Sequence, residues 1–287
     1  MEGVDNMNPI KKNSKVISKI IIYLILLVAS VSFLLPFIWL VRSSFMDIGQ
    51  IFILPPEWIP RPFRWQNYPE ALTAVPFGRY ALNTITILIF VEAGVIITST
   101  MSAFAFSRLR WKGRDKIFSV LLTSLMVPYV VTLIPTFLLW KALGGINTFL
   151  PLTVPAWFGG GMFNVFLLRQ FFLTIPYELD EAAYLDGATP LQVLWKVIIP
   201  LSKPAILTVA IFTFMSVWND LLGPIVYLND PDKYTLAVGL ATFVGMYTGQ
   251  WNYLMAASTV MILPPIILFF IGQKFFVQGI TLTGLKG

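Results

Sequence analysis

Six long apolar segments constrain this chain more than any other feature of its sequence. A helix of about 20 residues spans the ~30 Å hydrocarbon core of a bilayer, because it rises about 1.5 Å per residue. The segments cover residues 20–41, 81–106, 117–140, 156–173, 204–228 and 254–276. The sequence therefore predicts an all-α, polytopic membrane protein with six transmembrane helices.

Composition supports a membrane domain that occupies nearly the whole chain. Hydrophobic residues make up 57% of the 287 residues and charged residues only 12%, whereas soluble domains carry roughly a quarter charged residues. We therefore predict a short N-terminal segment (residues 1–19), a six-helix transmembrane domain (residues 20–276) and a short C-terminal tail (residues 277–287).

The positive charges predict the orientation in the membrane. Six spans place both termini on one side, and 14 of the 20 lysines and arginines fall on that side. Cytoplasmic loops carry such an excess of basic residues, so we predict that both termini are cytoplasmic. The densest cluster joins the second and third spans, and it is interpreted as an anchor to anionic lipid rather than a nucleic-acid site. It comprises Arg108, Arg110, Lys112, Arg114 and Lys116.

Several chemistries are excluded by missing residue types. The chain has no cysteine and no histidine, which removes thiolate and imidazole catalysis and the usual zinc and iron–sulfur ligands. No Gly-x-x-x-x-Gly-Lys-[Ser/Thr] phosphate loop is present. A membrane enzyme would need an Asp/Glu or a Ser/Lys constellation, but Glu92 and Asp220 lie on different predicted spans and no serine–lysine spacing indicates a dyad. We therefore expect no catalytic residues, no metal site and no cofactor bound by this chain.

The predicted inner loop at residues 174–203, called the 174–203 element below, reads as two helices joined by a tight turn. Pro176 favours a helix start, and Gly187 supplies a left-handed stop. Thr189 and Pro190 then form the N-cap and first position of a second helix, which Pro200 limits. Such an element suits docking of another protein, although an ordinary interfacial loop has the same pattern.

Polar residues inside the predicted spans are candidates for a substrate path, because buried polar groups are expensive in a bilayer. Glu92 either pairs with a polar group inside the helix bundle or lines the path. Aromatic, amide and carboxylate groups in the fifth span could bind a sugar or form interhelical hydrogen bonds. The candidates are Asn83, Glu92, Asn164, Trp218, Asn219 and Asp220.

The 174–203 element also resembles a known family. Its sequence is similar to the EAA loop of ABC-importer permeases, which has the pattern EAA-x3-G-x9-I-x-L-P. The matching residues are Glu181-Ala182-Ala183, then Gly187 after three residues, and Val197-Ile198-Ile199-Pro200 after nine more. Val197 and Ile199 depart conservatively from that pattern. Other segments are similar to carbohydrate permeases that resemble the smaller membrane subunit of the maltose/maltodextrin importer: residues 55–58, 168–172, 218–220 and 275–279.

This resemblance implies a type I ABC importer permease in a prokaryotic cell (inner) membrane. The implied partners are a second permease, a dimer of ATPase subunits that holds ATP and magnesium, and an external solute-binding protein that delivers a sugar. The 174–203 element becomes the coupling helix, in which Glu181 faces a basic group of the ATPase, Ala182 and Ala183 give a close-packed face, and Gly187 makes the turn. Asp186 and Pro200 complete the coupling set.

Two alternatives remain open from the sequence. A stand-alone secondary carrier or channel for small polar solutes also fits six spans, although no internal repeat of the kind common in carriers is visible. Within the importer interpretation, a polyol or glycerol phosphate could replace the sugar.

Overall fold

The computed structural model describes residues 9–245 and 249–283, with side chains for residues 17–244 and 249–273. Within these ranges the chain is helical and has no β-strand. The α-helices are α1 (Pro9–Ser44), α2 (Ile48–Ile51), α3 (Asn67–Ala74), α4 (Phe77–Ser107), α5 (Arg114–Thr123), α6 (Tyr129–Ala142), α7 (Leu150–Thr153), α8 (Met162–Thr174), α9 (Glu178–Leu185), α10 (Pro190–Val193), α11 (Ile199–Leu201), α12 (Lys203–Trp218), α13 (Leu222–Tyr227), α14 (Leu236–Gly245) and α15 (Trp251–Thr283). Three 3₁₀ turns (Ser124–Met126, Val154–Trp157, Pro231–Lys233) and a π-helical turn (Leu194–Ile198) complete the helical segments of the described ranges.

Helix length and hydropathy in the described residues agree with a multi-pass membrane protein. Four segments are long and apolar enough to cross a bilayer by themselves, and two bent pairs raise the number to six if each pair is one span. The four are Ile17–Ser44, Phe77–Ser107, Leu150–Thr174 and Trp251–Gln273. The bent pairs are Arg114–Met126 with Tyr129–Ala142, at 97°, and Pro190–Leu201 with Lys203–Trp218, at 81°.

Proline and polar residues explain where helices break. In the first bent pair Val127 is extended because it precedes Pro128, which also opens α6. The segment predicted as one span over residues 204–228 is interrupted after Trp218. There the Asp220 carboxylate accepts a hydrogen bond from the Gly223 backbone N–H (3.1 Å) at the start of α13, and this bond stabilises a new helix start instead of a continuous helix.

Other helix ends also differ from the predicted spans. In the segment predicted over residues 156–173, a 3₁₀ turn ends at Trp157 and the α-helix begins only at Met162, because Gly159, Gly160 and Gly161 all have positive φ. Helix α15 continues to Thr283, beyond the predicted end of the last span. Residues 1–8 of the predicted N-terminal segment and residues 284–287 of the predicted tail lie outside the described residues.

Among the described residues, one compact unit comprises residues 9–71 and 249–260. Its long helix α1 has no buried residue in its apolar window. The amide of Asn67 fixes the chain beyond α1, because its Nδ2 donates to the backbone oxygens of Ser44 and Met46 at 2.9 Å each. Asn252 in turn donates to Asn67 Oδ1 at 3.0 Å. This buried amide network joins the end of α1 to the start of α3 and to α15.

The described part of the second unit comprises residues 72–245 and 261–283, and α4 is its central element. Helices α8 and α12 pack along α4, and the apolar cluster between them includes the fully buried Leu168, Phe172 and Val209. Gly160 lies so close to α4 that a Cβ there would be 2.7 Å from the Val95 carbonyl oxygen. The core therefore depends on close backbone approach as well as on large apolar side chains.

Candidate functional site

The first arm of the 174–203 element is α9, and its end is set by a glycine. Gly187 has φ +80° and open space around it. Its N–H donates to the Tyr184 carbonyl (3.0 Å), and the Ala188 N–H donates to the Ala183 carbonyl (2.9 Å). These two bonds form a Schellman motif, which satisfies the last carbonyl groups of α9. The predicted tight turn is therefore present and needs a residue that tolerates positive φ.

The second arm begins with a capping box. The Thr189 hydroxyl accepts from the Gln192 N–H (3.4 Å), and the Gln192 side chain accepts from the Thr189 N–H (2.7 Å). Val193 and Ile198 then point into the same apolar cluster as Leu168 and Phe172 and are fully buried. The second arm is thus part of the core of the second unit.

The outward face of the element combines charge with exposed apolar groups. Glu181, Ala182, Asp186, Gly187 and Pro200 are exposed, whereas Ala183 is half-buried against the core. Large apolar side chains are also uncovered here, with Leu185 at 89% exposure, and with Leu191 and Trp195 both at 55%. Sequence patterns did not single out these three residues. Their exposure next to an acidic residue is typical of a protein-binding surface.

A buried ion pair ties α9 to the end of α4. Arg108, the C-cap residue of α4, lies with its Nη1 3.5 Å from the Asp180 carboxylate, and both side chains are almost fully buried. Arg108 Nη2 also donates to the carbonyl oxygens of Phe172 (2.5 Å) and Ile175 (2.7 Å) at the end of α8. Burial raises the pKa of the Asp180 carboxyl, and the Arg108 guanidinium opposes that shift. One arginine thus joins α4, α8 and α9.

A second arginine reinforces the same region. Arg169 of α8 donates to the Phe106 carbonyl (3.1 Å) and to the Asp115 carboxylate (3.3 Å), and its guanidinium lies 4.2 Å from the Phe118 ring centre. The hydrogen bond from Arg114 and the positive charge of the nearby Arg169 both lower the pKa of the Asp115 carboxyl. Arg108 and Arg114 belong to the basic cluster that was predicted to anchor the chain to lipid. Both pair with acidic residues of this chain, so part of the cluster has structural partners.

The candidate path residues do not converge on one site. Asn83 donates to the Asp232 and Tyr234 carbonyls, both at 2.9 Å, and Asn164 donates to the Gly160 carbonyl at 2.8 Å. Both amides hold backbone in place, Asn83 near the start of α4 and Asn164 at the start of α8. Their contact with a substrate stays a prediction.

The aromatic and polar group of the fifth predicted span has similar backbone partners. Trp218 is buried, donates from Nε1 to the Met261 carbonyl (3.1 Å) and stacks on Phe214. Asn219 donates to the Met215 carbonyl (2.8 Å), and Asp220 accepts from Gly223 as described above. Glu92 differs from all of these, because both carboxylate oxygens are buried and find no hydrogen-bond partner among the described side chains and backbone.

Within the described residues, no three His, Cys, Asp or Glu side chains group closely enough to hold a metal ion. Gly159, Gly160 and Gly161 all have positive φ and form the turn before α8, where Gly160 packs against α4.

Comparison with known proteins gives a consistent family match. Residues 96–282, more than half of the chain, match the family described as "Binding-protein-dependent transport system inner membrane component". The inner membrane ABC transporter permease protein YcjP of Escherichia coli (strain K12) is 30% identical over 96% of this chain and 99% of its own length. The sn-glycerol-3-phosphate transport system permease protein UgpE of Yersinia pestis bv. Antiqua (strain Antiqua) is 30% identical over 90% of this chain and 94% of its own.

A solved structure agrees with these sequence matches. One chain of a bacterial ABC transporter involved in the import of the acidic polysaccharide alginate superposes with a TM-score of 0.80 at 26% identity. The superposition covers 92% of this chain and 98% of that chain. The similarity therefore extends over almost the entire helical fold.

Proposed function

Because this chain belongs to the family of binding-protein-dependent transport system inner membrane components, we propose that it is a permease subunit of an ATP-binding-cassette importer for a sugar. With a second permease it forms the membrane path. An external solute-binding protein delivers the sugar, and partner ATPase subunits drive transport. The chain is a transport subunit, as its relatives' names state for them.

The geometry of the 174–203 element is the observation that carries this proposal. Its second arm is buried in the core at Val193 and Ile198, and its first arm is fixed by the Arg108–Asp180 pair. Its outward face presents Glu181 beside the exposed Leu185. A surface that binds a partner and is rigidly joined to the transmembrane helices can transmit the partner's movement to those helices.

The ATPase provides the energy in this proposal. Coupling follows if ATPase closure displaces the 174–203 element, with Glu181 opposite a basic group and Leu185, Leu191 and Trp195 in apolar pockets of the ATPase. ATP and magnesium then belong to that partner. The element and both termini lie in the cytoplasm, and the protein resides in the inner membrane of a prokaryotic cell.

A sugar is the proposed substrate class. The aligned structure comes from an importer of a polysaccharide, which supports this choice. The carbohydrate-permease-like segments of the sequence also support it. The relative named for sn-glycerol-3-phosphate makes a phosphorylated polyol the alternative to be tested beside sugars.

Reconstitution tests the proposal. The chain is co-expressed with the second permease, ATPase and solute-binding protein encoded with it, and ATP hydrolysis is measured with empty and with solute-loaded binding protein. We expect loaded binding protein to stimulate hydrolysis. Glu181→Lys should abolish the stimulation by repelling a basic group, while Glu181→Gln should reduce it only in part. Gly187→Pro should also abolish it, while Gly187→Asn should retain it because asparagine tolerates positive φ.

Two results would contradict the proposal. Stimulated hydrolysis that is unchanged by both Glu181→Lys and Gly187→Pro, at equal membrane levels of the protein, would mean that the element is only a connection. Accumulation of solute by the purified chain alone, driven by an ion gradient in liposomes, would instead establish a stand-alone secondary carrier.

A further inference from the structure

The loop between α4 and α5 surrounds an open hollow of about 650 Å³, which is lined by residues 110–116. Gly113 turns the chain here with φ +89°, and no atom lies within 4 Å of the place where a Cβ would be, so the turn leaves the hollow open. Three of the lining side chains are cations, and all three are exposed: Arg110, Lys112 and Lys116.

The hollow carries an excess of positive charge. Asp115 is the acidic residue of its lining, and it already pairs with both Arg114 and Arg169. Within the described side chains, none of the three exposed cations forms an ion pair. Cations held this close together repel one another, so an anion placed among them is favoured.

The position of the hollow in the chain places it at the membrane surface. Helix α4 is long and apolar enough to cross a bilayer, and Arg114–Met126 is the first half of a bent pair that also qualifies as a span. A short loop between two such segments lies at the level of the lipid headgroups. Trp111 agrees with this level, because tryptophan is enriched at membrane surfaces; its ring is exposed and packs on Phe106 with 5.5 Å between ring centres.

An exposed apolar face continues from the hollow along α5. Val120 lies three residues from Ile117 and four from Lys116, so these side chains share one face of the helix. Val120 is 69% exposed and Ile117 48% exposed. A soluble phosphate compound would match the cations but leave this face uncovered. A phospholipid carries an anionic phosphate together with apolar chains, and it therefore fits both the hollow and the face of α5.

Arg110 is oriented for such a phosphate by an aromatic ring. The central carbon of its guanidinium lies over the Tyr177 ring, 5.5 Å from the ring centre and within cation–π distance. A guanidinium that stacks through its face keeps its N–H edge free, and that edge binds phosphate oxygens in a bidentate manner. Tyr177 is thus a positioning residue for Arg110.

We propose that this hollow is a binding site for the headgroup of one anionic phospholipid, whose phosphate contacts Arg110, Lys112 and Lys116 and whose acyl chains lie along Ile117 and Val120. The site is narrower than the lipid anchor predicted from the sequence, because a discrete site saturates and selects its headgroup. It requires only a chain that spans a membrane, so it is independent of the importer function proposed above.

Native mass spectrometry of the purified full chain in detergent tests the site. Phosphatidylglycerol and phosphatidylcholine with the same acyl chains are titrated separately, because they differ in net headgroup charge. We expect one phosphatidylglycerol to bind saturably and phosphatidylcholine to bind clearly more weakly. Inorganic phosphate, added at the same concentration as the lipid, should not displace phosphatidylglycerol, since it lacks the apolar chains.

A triple variant removes the three cations, and a second triple variant removes three charges elsewhere. Each basic residue near an anionic lipid contributes about fivefold to binding, so the first variant should bind phosphatidylglycerol on the order of 100-fold more weakly. The control should bind it as wild type does. All six positions are exposed, so both variants should keep the wild-type melting temperature. The first variant is Arg110→Gln, Lys112→Gln and Lys116→Gln, and the control is Lys19→Gln, Lys141→Gln and Lys203→Gln.

Two changes at Tyr177 test the orientation of Arg110. Tyr177→Phe keeps the ring and should retain the binding of phosphatidylglycerol. Tyr177→Leu removes the ring and should weaken binding about two- to fivefold, the loss expected for one exposed cation–π contact. Equal binding by the two variants would contradict the positioning role of Tyr177.

Three results would overturn the site itself. Equal binding of the two lipids, or an equal loss in the triple variant and its control, would mean that no discrete headgroup site exists. Displacement of phosphatidylglycerol by inorganic phosphate would assign the hollow to a soluble anion. If the assembled transporter binds phosphatidylglycerol no better than the triple variant does, an acidic surface of a partner protein covers the hollow instead. Stimulated ATP hydrolysis is a separate measurement, so each of these results leaves the proposed function standing.

Discussion

The buried pair between Arg108 and Asp180 gives the most direct test of how the 174–203 element is held. Asp180→Asn keeps the shape of the side chain and removes its charge. Arg108 would then remain buried with its two carbonyl partners at Phe172 and Ile175 but without a counter-charge. Arg108→Met removes the charge and both carbonyl bonds, and it leaves a carboxylate with no other hydrogen-bond partner in the described region.

The expected cost follows from burial of both partners. Removing one member of a buried ion pair costs about 3–5 kcal/mol, because an uncompensated charge stays in a low-dielectric site. Arg108→Met should cost more than Asp180→Asn, since hydrogen bonds from a charged donor contribute about 1.5–3 kcal/mol each. A change of about 3 kcal/mol shifts the equilibrium between docked and undocked α9 by more than about 100-fold. The double variant Arg108→Met with Asp180→Asn should cost clearly less than the two single changes together.

Hydrogen exchange measures this equilibrium directly. In Asp180→Asn the amides of α9 should lose about 100-fold in protection while those in the middle of α4 change little. Stimulated ATP hydrolysis should fall in the same variant although the complex still assembles. Asp115→Asn is the matched control, because Asp115 is an exposed acid that pairs with Arg114 and Arg169. This control variant should leave the protection of the α9 amides unchanged.

Equal protection of α9 in wild type, Asp180→Asn and Asp115→Asn would refute this reasoning. So would strictly additive costs in the double variant, because the two side chains would then not stabilise each other. In either case the first arm would be held by its apolar contacts alone.

Two further substitutions, one in each unit and each compared with a control variant, test packing, with thermal stability of the purified protein as the measurement. Gly160→Ala should prevent stable folding, since the new Cβ would lie 2.7 Å from the Val95 carbonyl oxygen and the residue has a positive φ. The control is Gly159→Ala, where the Cβ has open space. This variant should lose only about 1–2 kcal/mol of stability, from backbone strain. Asn67→Ala removes two buried hydrogen bonds and should lower stability by about 2–4 kcal/mol. The control is Asn219→Ala, because the Asn219 amide is exposed and bonds only within its own helix. This variant should change stability by less than about 0.5 kcal/mol. Equal melting temperatures within either pair would contradict the packing described for it.

Local patterns carried much of the fold. The apolar runs predicted helices long enough to span a bilayer, and α1, α4 and α15 follow these runs. The turn at Gly187 was also predictable, because its glycine and the following Thr189-Pro190 act on neighbouring backbone groups only. Such features depend on interactions within about one helical turn, which a sequence displays directly.

Features that depend on distant partners were not predictable in this way. Arg108 was assigned to lipid anchoring and no partner was predicted for Asp180, yet the fold buries the two side chains together. Similarly, Asn83 was a candidate for the substrate path, but its amide donates to backbone carbonyls between α13 and α14. An amide donates equally well to a sugar oxygen and to a backbone carbonyl, so residue type alone cannot separate the two roles.

Helix α4 connects the 174–203 element to the core of the second unit. Arg108 at its C-terminal end holds the first arm of that element, and α8 and α12 pack along α4. A helix stabilised by continuous backbone hydrogen bonds moves as a unit, so displacement of α9 by an ATPase would also move the helices that pack on α4. In this arrangement one rigid helix transmits the movement of the ATPase to the transmembrane core, and loosening Arg108 should reduce stimulated hydrolysis and transport together without preventing ATP binding by the ATPase.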